Sequence, residues 1–396
     1  MADVFNPGHT MLDEVADTAA LEGVNCVSCH QMDSVDEGNL DALHFLGKST
    51  YRFPDGTGST ANYVWGPLDD VTFSGMKVSH STLHASSLVC AACHQYTNPD
   101  TGAPGQNTYR EWAASPFAVP GSGQRTCQSC HMPAPEAADG TPLCVIVAPD
   151  RPADQRRRHV FIGSTPDMLQ NNVALTLAAD EVAGRVHVAA SVNNFGAGHS
   201  FPTGVSIRNA ILVVRAELNG QPLPQVAGPT VPFWGSDDVP GDQPGDLAGL
   251  PGKGFAKVLE GRINGQGPTV RPVLFIDAEG VTSDTLIPSG ATDTSIYEFD
   301  LPPGVAPGTH VTIQAQLVYR RTFRALQVTK GWTESAHGGP IEIEVANQVA
   351  DLPVTGVGGS VVEVPTASAA GLCALALALA LLGALHLRRK GSGPVQ

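Results

Sequence analysis

Three short stretches carry the residue types and spacing that chemistry needs: Cys26-Val27-Ser28-Cys29-His30, Cys90-Ala91-Ala92-Cys93-His94 and Cys127-Gln128-Ser129-Cys130-His131. Each is Cys-x-x-Cys-His, the attachment signature of c-type haem. Two thiols three positions apart meet the two vinyl groups of one porphyrin and form thioethers. The adjacent imidazole then lies under the ring and binds iron as the proximal ligand. Cys26, Cys29, Cys90, Cys93, Cys127 and Cys130 are therefore expected to hold three covalent haem c groups. His30, His94 and His131 are expected to bind their irons. The other chemistry open to six such thiols is zinc binding or disulfide pairing. It leaves the three aligned histidines unexplained.

The chain that must position these groups has 396 residues, enough for two domains and appendages. Charged residues make up 15% and the net charge is −15, which argues against nucleic acid as a partner. With 43 Gly and 31 Pro, long loops are expected. Two cysteines stand outside the signatures, Cys144 and Cys373; their distance in sequence argues against a disulfide, and each reads as inert. The start, Met1-Ala2-Asp3-Val4-Phe5, has neither a basic n-region nor an apolar h-region. The export signal that haem attachment outside the cytoplasmic membrane requires is thus expected to be missing from this sequence.

Residues 1–165 read as the haem-bearing part, mainly helical and loop-rich. Met11–Leu21 has helical spacing, and Thr108–Ser115 reads as a short helix before the third signature. Periodicity is otherwise weak, as it can be where porphyrins serve as the core. The order of motifs adds a resemblance. Gly23–His30, Trp65-Gly66-Pro67, Leu88–His94 with Asn98-Pro99, Tyr109–Trp112, Cys127–Pro133, Arg158–Gly163 and Gly198–Gly204 succeed one another. This order resembles bacterial periplasmic multihaem c-type cytochromes, broadly the cytochrome c554 and hydroxylamine oxidoreductase group, over about residues 20–330.

An electron-transferring c-type haem takes a second axial ligand from His or Met. The resemblance implies this role for His159, in Arg158-His159-Val160-Phe161, and for His199, whose flanking glycines also let backbone approach a flat ring. His80 and His84 are four apart and would share a face on a helix. His80 is the preferred ligand of the two, with His44 its rival. His187 reads as a strand surface position, His310 and His337 as loop residues, His9 as a weaker candidate, and His386, at the end of an apolar run, as interfacial. Met76 and Met168 stay open. Arg156, Arg157 and Arg158 either pair with haem propionates or form a solvated linker.

Residues 166–350 read as an Ig-like antiparallel β-sandwich. Val173–Ala179 and Arg185–Asn194 alternate as strands around a turn near Asp180–Gly184, Ala210–Leu218 ends at the hairpin signal Asn219-Gly220, and Ser295–Leu301 and Thr309–Tyr319 alternate again. Residues 221–290 read as a long loop-rich insertion, with a further strand at Val273–Asp277. Asp237, Asp238 and Asp242 match no Ca²⁺ loop and read as a solvated acidic stretch.

Residues 351–368 read as a linker, 369–387 as a transmembrane helix and 388–396 as a basic cytoplasmic tail. Nineteen residues at about 1.5 Å each span ~28 Å, the hydrocarbon thickness. Arg388-Arg389-Lys390 would stay inside, leaving the body on the periplasmic side of the cell envelope. The tail also resembles exosortase-type sorting signals, so a permanent anchor and a cleaved signal both remain open. The fold class expected is α+β: a helical multihaem domain, a β-sandwich and one C-terminal membrane helix.

The function this implies is single-electron transfer through three haems, with periplasmic or membrane redox proteins as partners and no catalytic side chain. The alternative is a haem enzyme acting on a small nitrogen or sulfur compound at an open iron. A third reading is a surface protein whose haems bind a gas.

Overall fold

The computed structural model describes residues 24, 26–41, 45–52, 63–71, 77–134, 155–236, 245–335, 339–355 and 362–364.

The first half is built from small pieces. Its helices are α1 (Cys26–His30), α2 (Phe45–Lys48), α3 (Leu88–His94), α4 (Thr108–Ala113) and α5 (Cys127–His131). Its strands pair two by two: β1 (Met32–Val35) with β2 (Ser49–Tyr51), β3 (Tyr63–Gly66) with β4 (Lys77–His80), and β5 (Tyr96–Thr97) with β6 (Pro104–Gln106). The side chains that pack together here are few. Leu40, Ala91 and Tyr109 are buried, with Val35, Leu88 and Trp112 against them.

The second half is a β-sandwich. After the short α6 (Pro166–Gln170) come β7 (Val173–Val182), β8 (Arg185–Asn194), β9 (Asn209–Leu218), β10 (Gln221–Pro222), β11 (Gln225–Ala227), β12 (Gly252–Glu260), β13 (Gly280–Asp284), β14 (Thr292–Asp300), β15 (His310–Arg320), α7 (Arg324–Lys330), β16 (Glu342–Pro353) and β17 (Val362–Val364). One sheet runs β13-β12-β9-β15-β16, with β10 beside β9. The other runs β11-β14-β8-β7-β17. All these pairings are antiparallel.

Alternation in sequence explains the layering. Along β7, Val173, Leu175, Leu177 and Ala179 point inward; along β8, Val186, Val188, Ala190 and Val192 answer them. The opposite sheet contributes Leu212, Val214, Ile313, Ala315 and Leu317 to the same core. Each large aliphatic side chain buried this way stabilises by about 1.5–3 kcal/mol. Ala183 and Gly184 turn between β7 and β8 at φ 53° and 78°, and Asn219 and Gly220 between β9 and β10 at 52° and 75°. Positive φ at both central residues suits a two-residue hairpin.

Strand β9 is buried on both faces because Val231 and Trp234, from the segment before β12, cover Ile211, Val213 and Ala256. Gly254 is required at that crossing, since Trp234's ring occupies the space a Cβ would take. Residues 221–290 are thus not mainly loop: they supply β12, which pairs with both β9 and β13. Val273–Asp277 is not a strand but ends in a 3₁₀ turn at Phe275–Asp277.

Two expectations are corrected. The first half is not mainly helical: its described helices are single turns of four to seven residues set among short strand pairs and loop, and over the described residues as a whole strands outweigh helices. Nor is a C-terminal membrane helix part of the fold class, since no helix among the described residues is long and apolar enough to cross a membrane. The stretch 369–387 lies outside the described residues. The localisation built on it, a body held at the envelope by that helix, is not retained.

Candidate functional site

All three signatures fold as a turn of helix, in α1, α3 and α5. Positions i, i+3 and i+4 lie side by side on a helix, so each turn gathers its two thiols and imidazole on one face. Helix α5 is started by Thr126, whose Oγ1 accepts from Ser129 N at 3.3 Å. The six thiols are free, with no disulfide among them.

The three turns are tied to one another. Ser87, before α3, accepts from Cys127 N at 3.0 Å. Gln128 Nε2 donates to Ser86 O at 2.7 Å and His84 O at 3.2 Å. His84 Nε2–H in turn donates to Cys29 O at 2.8 Å. Thiols of successive turns interact. Cys90 hydrogen-bonds to Cys127, which lowers the Cys127 pKa and raises that of Cys90. Burial, then the neighbouring Cys29, pushes Cys93 up to about 11. The sites therefore run in order, first beside second and second beside third.

Each signature imidazole has a partner at Nδ1. His30 Nδ1–H donates to Trp65 O at 2.6 Å, and His131 Nδ1–H to Ile162 O. The Gln106 side-chain amide lies 3.0 Å from His94 Nδ1. Occupying Nδ1 with a carbonyl acceptor leaves Nε2 with its lone pair for a metal.

Other imidazoles come to two of these three. His199 faces His131 with ring centroids 6.2 Å apart and planes 12° from parallel. His84 and His159 lie 5.8 and 5.9 Å from His30, at 13° and 39°. Two imidazoles bound to one metal through bonds of about 2 Å have centroids about 6 Å apart. Among the described residues, no second imidazole is stacked on His94.

His199 comes from the loop after β8. Asn194, fully buried, holds that loop by donating Nδ2 to His199 O at 2.8 Å and Ile287 O at 2.9 Å. Glu111 on α4 accepts from Ser200 N at 3.2 Å and from Thr203 Oγ1 at 2.6 Å. Gly198 packs so close that a Cβ there would meet Trp112 at 3.1 Å. His199 Nδ1–H donates to Ser200 O at 3.0 Å, and burial pushes the ring's pKa down to about 4. Burial also lowers His84, His94 and His159. Neutral imidazoles are the form that ligates.

These residues fit haem better than a bare ion. Among the described residues, no three of His, Cys, Asp and Glu converge as a metal site. A zinc site needs about four ligands at one point, whereas iron in a porphyrin needs one or two from the protein. His84 Nδ1 is buried without a hydrogen-bond partner. Val160, Phe161 and Phe195, beside His159 and before His199, leave large apolar side chains 48–57% exposed, surface that a flat apolar ring would cover.

His80 does not join this cluster. It ends β4, exposed and paired across from Gly66, while His84 sits on a 3₁₀ turn. The two do not share a helical face, and of the pair it is His84 whose ring comes to His30. His187 lies half-buried on β8. His310 opens β15 and binds Asp351 at 2.6 Å, so it is not a loop residue. His44, His9, His337, His386, Met76, Cys144 and Cys373 lie outside the described residues. Arg156–Arg158 run beside His159 on partly to fully exposed backbone.

The chain folds like a penta-heme cytochrome c552. Its match to the crystal structure of that protein from Thermochromatium tepidum has a TM-score of 0.52 at 21% identity, over 85% of this chain and 79% of that one. At that identity the likeness establishes the fold. No family model and no curated protein matches the chain. The finer likeness to the cytochrome c554 and hydroxylamine oxidoreductase group, and that of the tail to a sorting signal, find no support in these matches.

Proposed function

We propose that the chain is a multihaem c-type cytochrome that relays single electrons through three covalently held haems. The observation that carries this reading is the row of signatures, tied by Ser87–Cys127, Gln128–His84 and His84–Cys29. The fold shared with a penta-heme cytochrome supports it. Cys26 and Cys29, Cys90 and Cys93, and Cys127 and Cys130 are assigned the thioether bonds. His30, His94 and His131 bind iron proximally. His199 serves opposite His131, and His84 or His159 opposite His30.

When bound, the haems supply one-electron chemistry at iron. The residues fix what surrounds it. Trp65 O and Ile162 O hold His30 and His131 in the ligating tautomer, and burial keeps His199 neutral. Partners are one-electron redox proteins on the periplasmic side, where such haem is attached. Absorption spectra, with a pyridine haemochrome assay on protein matured in a competent host, test the reading. Three haem c per chain are expected, and a chain without covalent haem would end it.

A second reading, a haem enzyme acting on a small nitrogen or sulfur compound, draws on one observation: no imidazole is stacked on His94 among the described residues. Uptake of CO by one reduced haem favours it, and three inert low-spin haems exclude it.

A further inference from the structure

Two positive charges that the relay reading leaves unused act on the second signature. Lys48, at the end of α2, is 2% exposed. Its Nζ donates to Gln95 O at 2.5 Å and stands 5.5 Å from the centre of the Tyr96 ring. Gln95 and Tyr96 directly follow His94, and the Lys48 charge reaches Cys93. The carboxylate that faces Lys48, Asp41, also pairs with Arg110 and accepts from Gln95 Nε2. Lys48, Asp41 and Arg110 together carry one net positive charge. Arg208 is half-buried and makes no ion pair or side-chain hydrogen bond among the described residues. Gly204, at φ 93°, leaves it room: a Cβ there would come within 2.8 Å of the guanidinium. The Arg208 charge acts on His94 and on His199.

Resting on the relay reading, we propose that the iron bound at His94 is the most easily reduced of the three, and that Lys48 and Arg208 make it so. Reduction adds one electron, Fe³⁺ to Fe²⁺, supplied by a one-electron donor protein, with no proton taken up. It removes one positive charge from the site. A cation held nearby therefore disfavours the oxidised form, and more strongly when protein rather than water lies between. The cations near the other two sites differ. Arg52 pairs with Asp33. Arg156, Arg157 and Arg158, beside His159, stand where water and salt screen them. The third site feels Arg208, and among the described residues no buried counterpart of Lys48 adjoins its signature. Electrons entering the row would collect at its middle.

Spectroelectrochemical titration of the full-length, haem-loaded protein tests this. EPR distinguishes the haems, and His199→Ala marks the third. Lys48→Gln should lower only the highest midpoint, by about tenfold in the reduction constant, or about 59 mV for one electron. Lys48→Arg should restore it. Arg208→Gln should lower that haem and the third together. An unmoved highest midpoint in Lys48→Gln, or movement of a lower one instead, overturns the proposal. Should Lys48→Gln not fold, Arg208→Gln decides on the same readout. Pyridine haemochrome on each sample separates the two levels: three haems with unmoved potentials sink this inference alone, and missing haem in the parent protein sinks the relay as well.

Discussion

His131 and His199 face one another at 6.2 Å between ring centroids, with planes 12° from parallel. They are 68 positions apart in sequence, one on a helical turn of the first half and one on a loop of the sandwich. Each donates Nδ1–H to a backbone carbonyl, Ile162 O and Ser200 O. These bonds leave Nε2 of both rings unused, and the β-half thus brings an imidazole to one carried by the first half.

His199→Ala should convert one of three haems from low-spin to a form that binds CO when reduced. Haem count and far-UV circular dichroism should stay unchanged. Three unaltered low-spin haems would remove His199 from the ligand set.

Among the described residues, two imidazoles come to His30, those of His84 and His159. His84 is buried, has a ring nitrogen without a partner and lies within 13° of parallel with His30. His84→Ala should alter one haem's ligand-field spectrum, and His159→Ala should have the smaller effect. His80→Ala should leave all three haems as they were, because His80 stands exposed at the end of β4.

The three Cys-x-x-Cys-His turns and the strands of the β-half were legible in the residues: the former are local, and the strands around Ala183-Gly184 and Asn219-Gly220 follow from alternation and turn type. That His84 rather than His80 comes to His30 was not legible. It depends on β4 ending at His80, after which a 3₁₀ turn carries His84 inward to Cys29. Strand β12 was missed because Gly252, Gly254, Lys253 and Lys257 break its apolar pattern. Gly254 is dictated by Trp234, a contact that no local pattern shows. Lys48 and Arg208 carried no signal either, since burial of a cation is a property of the folded chain.

Asn194 holds the loop that delivers His199. Asn194→Ala strips donors from two carbonyls, His199 O and Ile287 O, and should cost about 2–3 kcal/mol. Urea unfolding of the haem-loaded protein measures this. The spectrum should show a fractional loss of the low-spin form at one haem, since the ligand is loosened rather than removed.

Arg320 is 1% exposed and donates to Glu342 at 2.7 Å, to Gly235 O at 2.8 Å and to Gly245 O. It pins the segment that covers β9. Arg320→Ala should destabilise the sandwich by roughly 3 kcal/mol, read in the same unfolding experiment. Haem spectra at neutral pH should be unaffected, which separates loss of the fold's support from loss of a ligand.

The most direct measurement is the intact mass of the purified chain, matured where c-type haem is attached, beside its pyridine haemochrome spectrum. A gain of three porphyrins with thioether-type α bands is the result expected. A chain of unmodified mass, without colour and with six titratable thiols at the three turns, would contradict the account.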